Sequence, residues 1–275
     1  MATEEKKENP MDKMEYRMLG GTGLKVSCLG LGTMSFKSEE QAMELIAAVR
    51  KFGVNFFDNA ELYGNPCGSA EKFFGSALKK LQEKEPKLYR RSDLVITTKL
   101  YFGCGDGEQA NARDRVYGVN DKSLSRKHLM EGIKESLDRL QLEYVDVLYA
   151  HRLDYLTPME EIVRGFTDII RSGKALYWGT SMWPNYKLVE AYWVAKVHNL
   201  IPPVIEQPVY NMFNRKFVEV EYKPLFEAPY NFGTTCWSPL DSGILTGKYV
   251  KEIPSGSRLD GKAKDSWLGK WWGSE

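Results

Sequence analysis

Four side chains in this sequence have the types and the order needed to move a proton at a carbonyl oxygen. In F-F-D-N-A-E-L-Y-G, residues 56–64, Asp58 ends a strongly apolar run and Tyr63 follows five residues later. The next such run, V-I-T-T-K-L, delivers Lys99, and the one after it, D-V-L-Y-A-H, delivers His151. An ammonium beside a phenol favours the phenolate, so Lys99 is expected to lower the pKa of Tyr63. A carboxylate beside the lysine holds it charged and oriented. A tyrosine tuned in this way can protonate a developing alkoxide near neutral pH. Taken singly, an Asp at a strand end is most often a turn or capping residue, and a loop Tyr is most often packing. Lys99 resists that reading, because burying an unpaired ammonium is expensive. The recurrence of such residues at the ends of successive runs points to chemistry.

Those runs define the fold. After M-E-Y-R-M-L, a G-G-T-G turn and L-K-V-S, which predict a short β-hairpin, compact apolar segments recur: S-C-L-G-L-G-T-M, V-N-F-F-D-N-A, D-L-V-I-T-T-K-L, V-D-V-L-Y-A-H, A-L-Y-W-G-T-S, V-I-E-Q-P-V-Y-N and T-T-C-W-S-P-L. Amphipathic stretches with helical periodicity separate most of them. In S-E-E-Q-A-M-E-L-I-A-A-V-R-K-F-G, Ser38 is the expected N-cap with Gln41 at capping-box spacing, Ala42, Leu45, Ile46 and Val49 share a face, and Gly53 supplies the left-handed stop. In T-P-M-E-E-I-V-R-G-F-T-D-I-I-R-S-G, Thr157 is the expected cap, Pro158 the first helical residue and Gly173 the stop. Strand alternating with helix predicts a parallel sheet covered by helices. A doubly wound sheet should show G-x-G-x-x-G after its first strand, whereas this one gives G-L-G-T-M. Polar residues stand instead at the C-terminal end of run after run (Asp58, Lys99, His151, Ser181, Gln207 and Ser238), where (β/α)8 barrels assemble their sites. The expected fold is an α/β TIM-type barrel spanning residues 14–275, behind a disordered leader of residues 1–13. The seventh run ends near Pro239 and no eighth apolar run follows, so the eighth strand and last helices are expected to be missing.

Composition narrows the function. With 38 basic and 37 acidic side chains the net charge is +1, which argues against nucleic acid or an anionic membrane as the main partner. No apolar run approaches the roughly 18 residues that insert across a bilayer, and the charged opening M-A-T-E-E-K-K-E-N-P is not a signal peptide. Cys28, Cys67, Cys104 and Cys236 are widely spread without a C-x-x-C, which predicts separate thiols in a reducing compartment. His128 is expected on a helix surface, and His198 at a helix end beside the last carbonyls. No pair of the three histidines has metal-ligand spacing, so a zinc enzyme is not expected. The composition points to a cytoplasmic, metal-free protein.

The sequence resembles the aldo-keto reductase superfamily. Asp58, Tyr63, Lys99 and His151 match that family's catalytic tetrad in order and context, and G-G-T-G-L-K-V-S-C-L-G-L-G-T-M resembles its hairpin and first strand. The segments Y-V-D-V-L-Y-A-H-R, T-P-M-E-E-I-V-R, Y-W-G-T-S-M-W, N-L-I-P-P-V-I-E-Q-P-V-Y-N-M-F and W-S-P-L-D-S-G-I-L-T-G-K-Y are similar to the branch containing voltage-gated potassium channel beta subunits and their plant and microbial homologues. The resemblance implies NADPH-dependent reduction of aldehydes or ketones, with Tyr63 as general acid, Lys99 as its pKa partner, Asp58 as counter-ion and His151 orienting the carbonyl. It also implies that Ser181 and Gln207 hold the nicotinamide carboxamide and that Trp237 stacks on its ring. Ser238, Pro239, Leu240 and Ser242 would wrap the pyrophosphate, Lys248 and Arg258 would supply charge to it, and Gly32, Thr33, Met34 and Asp58 would lie on the cofactor side of the early strands.

Several positions depart from that pattern. Met182 stands where relatives carry an asparagine or arginine, and Asp241 where they carry a small neutral residue. The family's grip on the adenosine 2′-phosphate, a serine, a glutamine and a Glu-Asn pair after an eighth strand, has no counterpart here. Residues 103–122 form a long loop after the third strand, placed to shape the substrate opening or to serve as a surface insertion. Trp267, Trp271 and Trp272 would share one apolar helical face. The alternative function is a nucleotide-binding, redox-sensing regulatory subunit that turns over little while it contacts a channel-like partner or assembles as a homo-oligomer. Animal channel subunits carry asparagine where this chain has His151, which favours the enzyme.

Overall fold

The computed structural model describes residues 10–105, 117–257 and 259–260. Arg258, the three C-terminal tryptophans, most of the leader and the centre of the 103–122 loop lie outside the described residues. The chain divides into two compact units, Met1–Gln207 with Pro224–Thr235 and Pro208–Lys223 with Cys236–Glu275.

The first unit opens on the expected hairpin, β1 (Tyr16–Met18) pairing antiparallel with β2 (Lys25–Ser27). Seven parallel strands follow: β3 (Gly30–Gly32), β4 (Phe56–Asp58), β5 (Val95–Leu100), β6 (Val145–Ala150), β7 (Ala175–Ser181), β8 (Ile205–Gln207) and β9 (Gly233–Thr234). Helices α1 (Glu39–Arg50), α2 (Ser69–Lys84), α3 (Arg126–Leu140), α4 (Met159–Arg171) and α5 (Asn185–Val197) connect them in turn from β3 to β8. The strands lie side by side in chain order with no reversal. A doubly wound sheet must reverse its order at a switch point. The arrangement is therefore that of a (β/α)8 barrel; the first six apolar runs each contain one of its strands, whereas the seventh shares only Thr234 with β9 and otherwise lies beyond it. Among the described residues no eighth parallel strand follows β9.

Alternation along the strands explains how one face becomes a site. At their N-terminal ends Phe56, Val95, Val147 and Ile205 pack with Tyr149 and with Leu19 and Val26 of the hairpin segment. Two residues on from Phe56 is Asp58; from Val95 the same face carries Thr97 and Lys99; from Tyr149 it carries His151; from Ile205 it carries Gln207. A single face thus passes from apolar to polar along its strands. β5 and β6 are buried from end to end, which is why both read as continuous apolar runs rather than alternating ones.

The helix signals hold with two corrections, at the start of α4 and at His198. Ser38 Oγ accepts from Gln41 N (3.2 Å), while Gln41 Oε1 reaches one residue further out, to Lys37 N (2.8 Å). Gly53 is left-handed (φ +85), and a Cβ there would press on Met14 and Tyr16. At α4 the cap position belongs to Pro158, whose extended ψ of 136° keeps it outside the helix. Thr157 does not cap; its hydroxyl donates to Asp154 Oδ2 (2.6 Å), and Asp154 also accepts from Leu124 N and Leu156 N. Capping competes with any stronger local acceptor, and here the carboxylate wins. His198 does reach the end of α5, but its ring faces Glu160 (3.6 Å) instead of the last carbonyls.

The cysteines need a third correction. Cys67 and Cys104 form a disulfide, with Cα atoms 5.5 Å apart across a sequence separation of 37, while Cys28 and Cys236 are exposed. Closing a loop of that length removes roughly 3–4 kcal/mol of unfolded-chain entropy. Dithiothreitol is therefore expected to lower the melting temperature by several degrees, and Cys67→Ser to melt at the lowered value with or without it. A melt that ignores both would show that the bridge does not stabilise the fold.

Candidate active site

Lys99 is fully buried at the centre of the cluster. Its Nζ donates to Asp58 Oδ2 (2.6 Å), to the carbonyl of Asn59 (2.7 Å) and to Tyr63 Oη (3.2 Å). All three donor positions of the ammonium are thereby used. Asp58 Oδ1 in turn accepts from Thr97 Oγ1 (2.8 Å) and Gln207 Nε2 (3.2 Å). The His151 ring stands edge-on to Tyr63, centroids 6.0 Å apart, and edge-on to Phe102 at 5.1 Å. The loop that carries Tyr63 turns at Gly64, left-handed at φ +95, where a Cβ would collide with Ser69 and the backbone of Ala70. Ala70 N donates to the Tyr63 carbonyl (3.2 Å), tying the tyrosine to the start of α2.

Burial sets the protonation states. It opposes the charge on Lys99, but the Asp58 carboxylate and the Tyr63 hydroxyl outweigh it, and the ammonium pKa is raised. Burial raises the pKa of the Tyr63 phenol more than Lys99 lowers it, so the net shift is upward. The sequence expectation of a lowered tyrosine pKa is thus overturned: desolvation wins over the adjacent cation, and the phenol holds its proton at neutral pH. Burial, then Lys99 and Arg152, push His151 well below the usual imidazole range. His151 is a neutral ring whose buried Nδ1 has no hydrogen-bond partner among the described residues.

The other residues read from the sequence fall into two groups. In the first unit, Ser181 and Gln207 are register partners on β7 and β8, and Ser181 Oγ donates to the Gln207 carbonyl (2.9 Å). Gln207 Nε2 also reaches Thr235 Oγ1 (3.2 Å), which leaves its side-chain oxygen as an acceptor with no partner among the described residues. At the end of β3, Gly32 and Met34 are exposed, and the fully buried Thr33 bonds Asn59 Oδ1 (2.9 Å). In the second unit, Trp237 bridges Val209, and Ser238 gives its carbonyl to Asn211 Nδ2 (3.0 Å). Pro239, Leu240 and Lys248 are exposed. Ser238, Asp241 and Ser242 all adopt positive φ. Asp241 is buried, and burial raises its carboxyl pKa.

The sequence from residue 28 to residue 267 matches the family described as "Aldo/keto reductase family". The chain belongs to the aldo/keto reductase family. It is 47% identical over 251 residues to a "Probable voltage-gated potassium channel subunit beta" of Oryza sativa subsp. japonica, an alignment that covers 90% of this chain and 70% of the relative. A protein of the same description from Arabidopsis thaliana matches at the same identity and coverage. The family is one of oxidoreductases that use nicotinamide cofactors on small carbonyl substrates. Among the described residues no helix is long and apolar enough to cross a membrane.

For an aldo/keto reductase, a nicotinamide carboxamide needs acceptors for its N–H groups. Ser181 Oγ and the Gln207 side-chain oxygen have that chemistry, so the residues present fit the group. Met182 is left-handed (φ +58), a conformation that asparagine tolerates better than methionine. Buried Glu206 braces that turn by accepting from Trp183 N (3.2 Å) and from Thr180 Oγ1, and burial pushes its carboxyl pKa up to about 8.

Several residues escaped the sequence reading. Asn59 and Thr97 complete the polar contacts of Lys99 and Asp58; Asn59 directly follows Asp58, and Thr97 stands two residues before Lys99. Glu61, two residues before Tyr63, accepts from Tyr101 N (2.6 Å) and Gly103 N (2.7 Å) and so fixes the loop that carries Phe102. Its other contact corrects the reading of His128, which is buried with Nε2 3.3 Å from Glu61 Oε2 rather than exposed on a helix surface. Burial disfavours the imidazolium, but the hydrogen bond and charge of Glu61 outweigh it and raise the His128 pKa. A partner 67 residues away leaves no local signal.

Proposed function

We propose that this chain is a reductase of small and aromatic aldehydes and ketones that draws its reducing power from NADPH. The observation that carries the reading is the Lys99 ammonium held between Asp58 Oδ2 (2.6 Å) and Tyr63 Oη (3.2 Å), with the His151 ring beside the phenol. A carbonyl oxygen accepts from Tyr63 Oη and from the neutral His151 ring. A bound nicotinamide nucleotide supplies hydride to the carbonyl carbon. As charge builds on the oxygen, the Tyr63 proton moves to it, and Lys99 stabilises the tyrosinate left behind. Asp58 keeps the ammonium in place through the cycle. Ser181 and Gln207 orient the carboxamide, with Gly32, Thr33 and Met34 nearby in the fold. Trp237 is assigned to the nicotinamide ring. Ser238, Pro239, Leu240, Ser242, Lys248 and Arg258 are assigned to the pyrophosphate. A cytoplasmic setting suits a consumer of NADPH.

A second reading, a nucleotide-binding regulatory subunit with little turnover, is favoured by the descriptions of the two plant relatives. One experiment separates the two. The chain is melted with saturating NADPH or NADH and then given an aromatic aldehyde. A ligand at about 100 times its Kd adds roughly 2.7 kcal/mol of stability. An upward shift followed by aldehyde-dependent oxidation of NADPH supports the reductase. A shift without turnover favours the regulatory subunit. A cooperative melt that neither nucleotide moves rejects both.

A further inference from the structure

The guanidinium of Arg152, next in sequence to His151, is the exception among the enclosed arginines of the first unit. Arg50 pairs with Asp93, Arg91 with Asp146, Arg139 with Glu71 and Lys99 with Asp58. Arg152 is half-buried and has no carboxylate within 4.0 Å among the described residues. Its Nη1 donates to the His151 carbonyl (2.6 Å) and, at 3.4 Å, to Ser181 Oγ. Nε and Nη2 bond no described residue, yet neither is sealed from solvent.

The neighbouring carboxyl groups are committed elsewhere. Asp154 accepts from Leu124 N, Leu156 N and the Thr157 hydroxyl. Glu206 accepts from Thr180 and Trp183, and with a carboxyl pKa near 8 it brings little negative charge at neutral pH. The surrounding surface is aromatic and positive. The Phe102 ring, edge-on to His151, has the Arg152 guanidinium 5.9 Å from its centroid and the exposed Lys122 ammonium 5.3 Å away, and Tyr101 stands edge-on to Phe102 at 5.0 Å. A partly desolvated cation with no counter-ion among the described residues calls for an anion, and the fork of a guanidinium matches the two oxygens of a carboxylate.

We infer that Arg152 anchors an oxyanion carried by the substrate, so that the favoured carbonyl compounds are aldehydes bearing a carboxylate, aromatic ones among them. The inference rests on the reductase reading for the carbonyl chemistry but not for the binding of the acid. A phosphate of the cofactor would meet the same chemistry, and the test separates the two sources.

The test has two arms. In the first, sodium benzoate and benzamide are titrated calorimetrically into the nucleotide-free chain. Benzoate is expected to bind roughly 10- to 100-fold more tightly, as hydrogen bonds to a charged group allow. Arg152→Gln should remove that preference and Arg152→Lys should keep part of it. In the second arm, NADPH-driven turnover of 4-carboxybenzaldehyde is compared with that of its methyl ester. The ratio of their kcat/KM values should favour the acid and fall at least about tenfold in Arg152→Gln. If the wild-type chain binds benzoate no better than benzamide, the inference is overturned, a result that needs no variant to fold. If Arg152→Gln weakens NADPH and leaves the benzoate preference intact, the oxyanion belongs to the cofactor and the inference is again overturned. If no aldehyde turns over, the reductase reading fails, and the benzoate arm still decides the anion site.

Discussion

Tyr63→Phe is expected to lower kcat for aldehyde reduction by about a hundredfold to ten-thousandfold, the usual contribution of a positioned general acid. The variant keeps the ring that stands edge-on to His151 and loses one hydrogen bond, from the Lys99 ammonium. Losing such a bond costs about 1 kcal/mol, so the protein should still fold and still bind nucleotide. Wild-type-like turnover in Tyr63→Phe would remove Tyr63 from the mechanism. The pH profile gives an independent check. The general acid works in its protonated form, so activity falls as pH rises through its pKa, and burial of the phenol places that limb above the ordinary tyrosine range. His151 works as the neutral ring, so the acid limb should lie well below the usual imidazole range. The expected profile is a broad plateau across neutrality. Stability carries a related sign. A histidine whose folded pKa lies below its unfolded value binds fewer protons folded than unfolded, so its share of stability falls as pH drops through the unfolded imidazole range.

The strands and the cluster of Asp58, Tyr63, Lys99 and His151 were legible because they rest on local rules. Apolar runs bounded by polar ends, such as V-I-T-T-K-L, reveal a strand and the residue at its mouth together. The polar ends of successive runs then put Lys99 and His151 at the mouth of the sheet, where barrels assemble their sites. What stayed hidden depends on distance or on competition. The Cys67–Cys104 bridge and the Glu61–His128 pair join residues far apart in sequence, and nothing local marks them. Thr157 has a capping residue's chemistry, yet Asp154 is the better acceptor within reach. The direction of the Tyr63 shift needed the depth of the pocket: sequence brings a lysine near a phenol but does not weigh that charge against desolvation. The same limit hid Arg152. Its place after His151 was plain, but that it lacks a carboxylate partner among the described residues appears only in the folded structure.

The largest combined effect is expected at Lys99. Lys99→Met keeps the length and apolar stem of the side chain but deletes the ammonium that three oxygens share. Asp58 then retains only Thr97 Oγ1 and Gln207 Nε2 as donors, in a site where its side chain is 16% exposed. Removing one partner of a buried ion pair costs about 3–5 kcal/mol, because the charge left behind is uncompensated. The melting temperature should therefore fall steeply, and kcat should fall at least as far as in Tyr63→Phe, since the tyrosinate formed in the reaction loses its counter-charge. The two effects separate in the double variant Asp58→Asn/Lys99→Met. Neutralising both partners removes the unpaired charge, so much of the lost stability should return, as measured by chemical denaturation. Turnover should not return, because the cation that stabilises the tyrosinate is still missing. A double variant that recovers activity along with stability would show that Lys99 serves the fold and not the reaction.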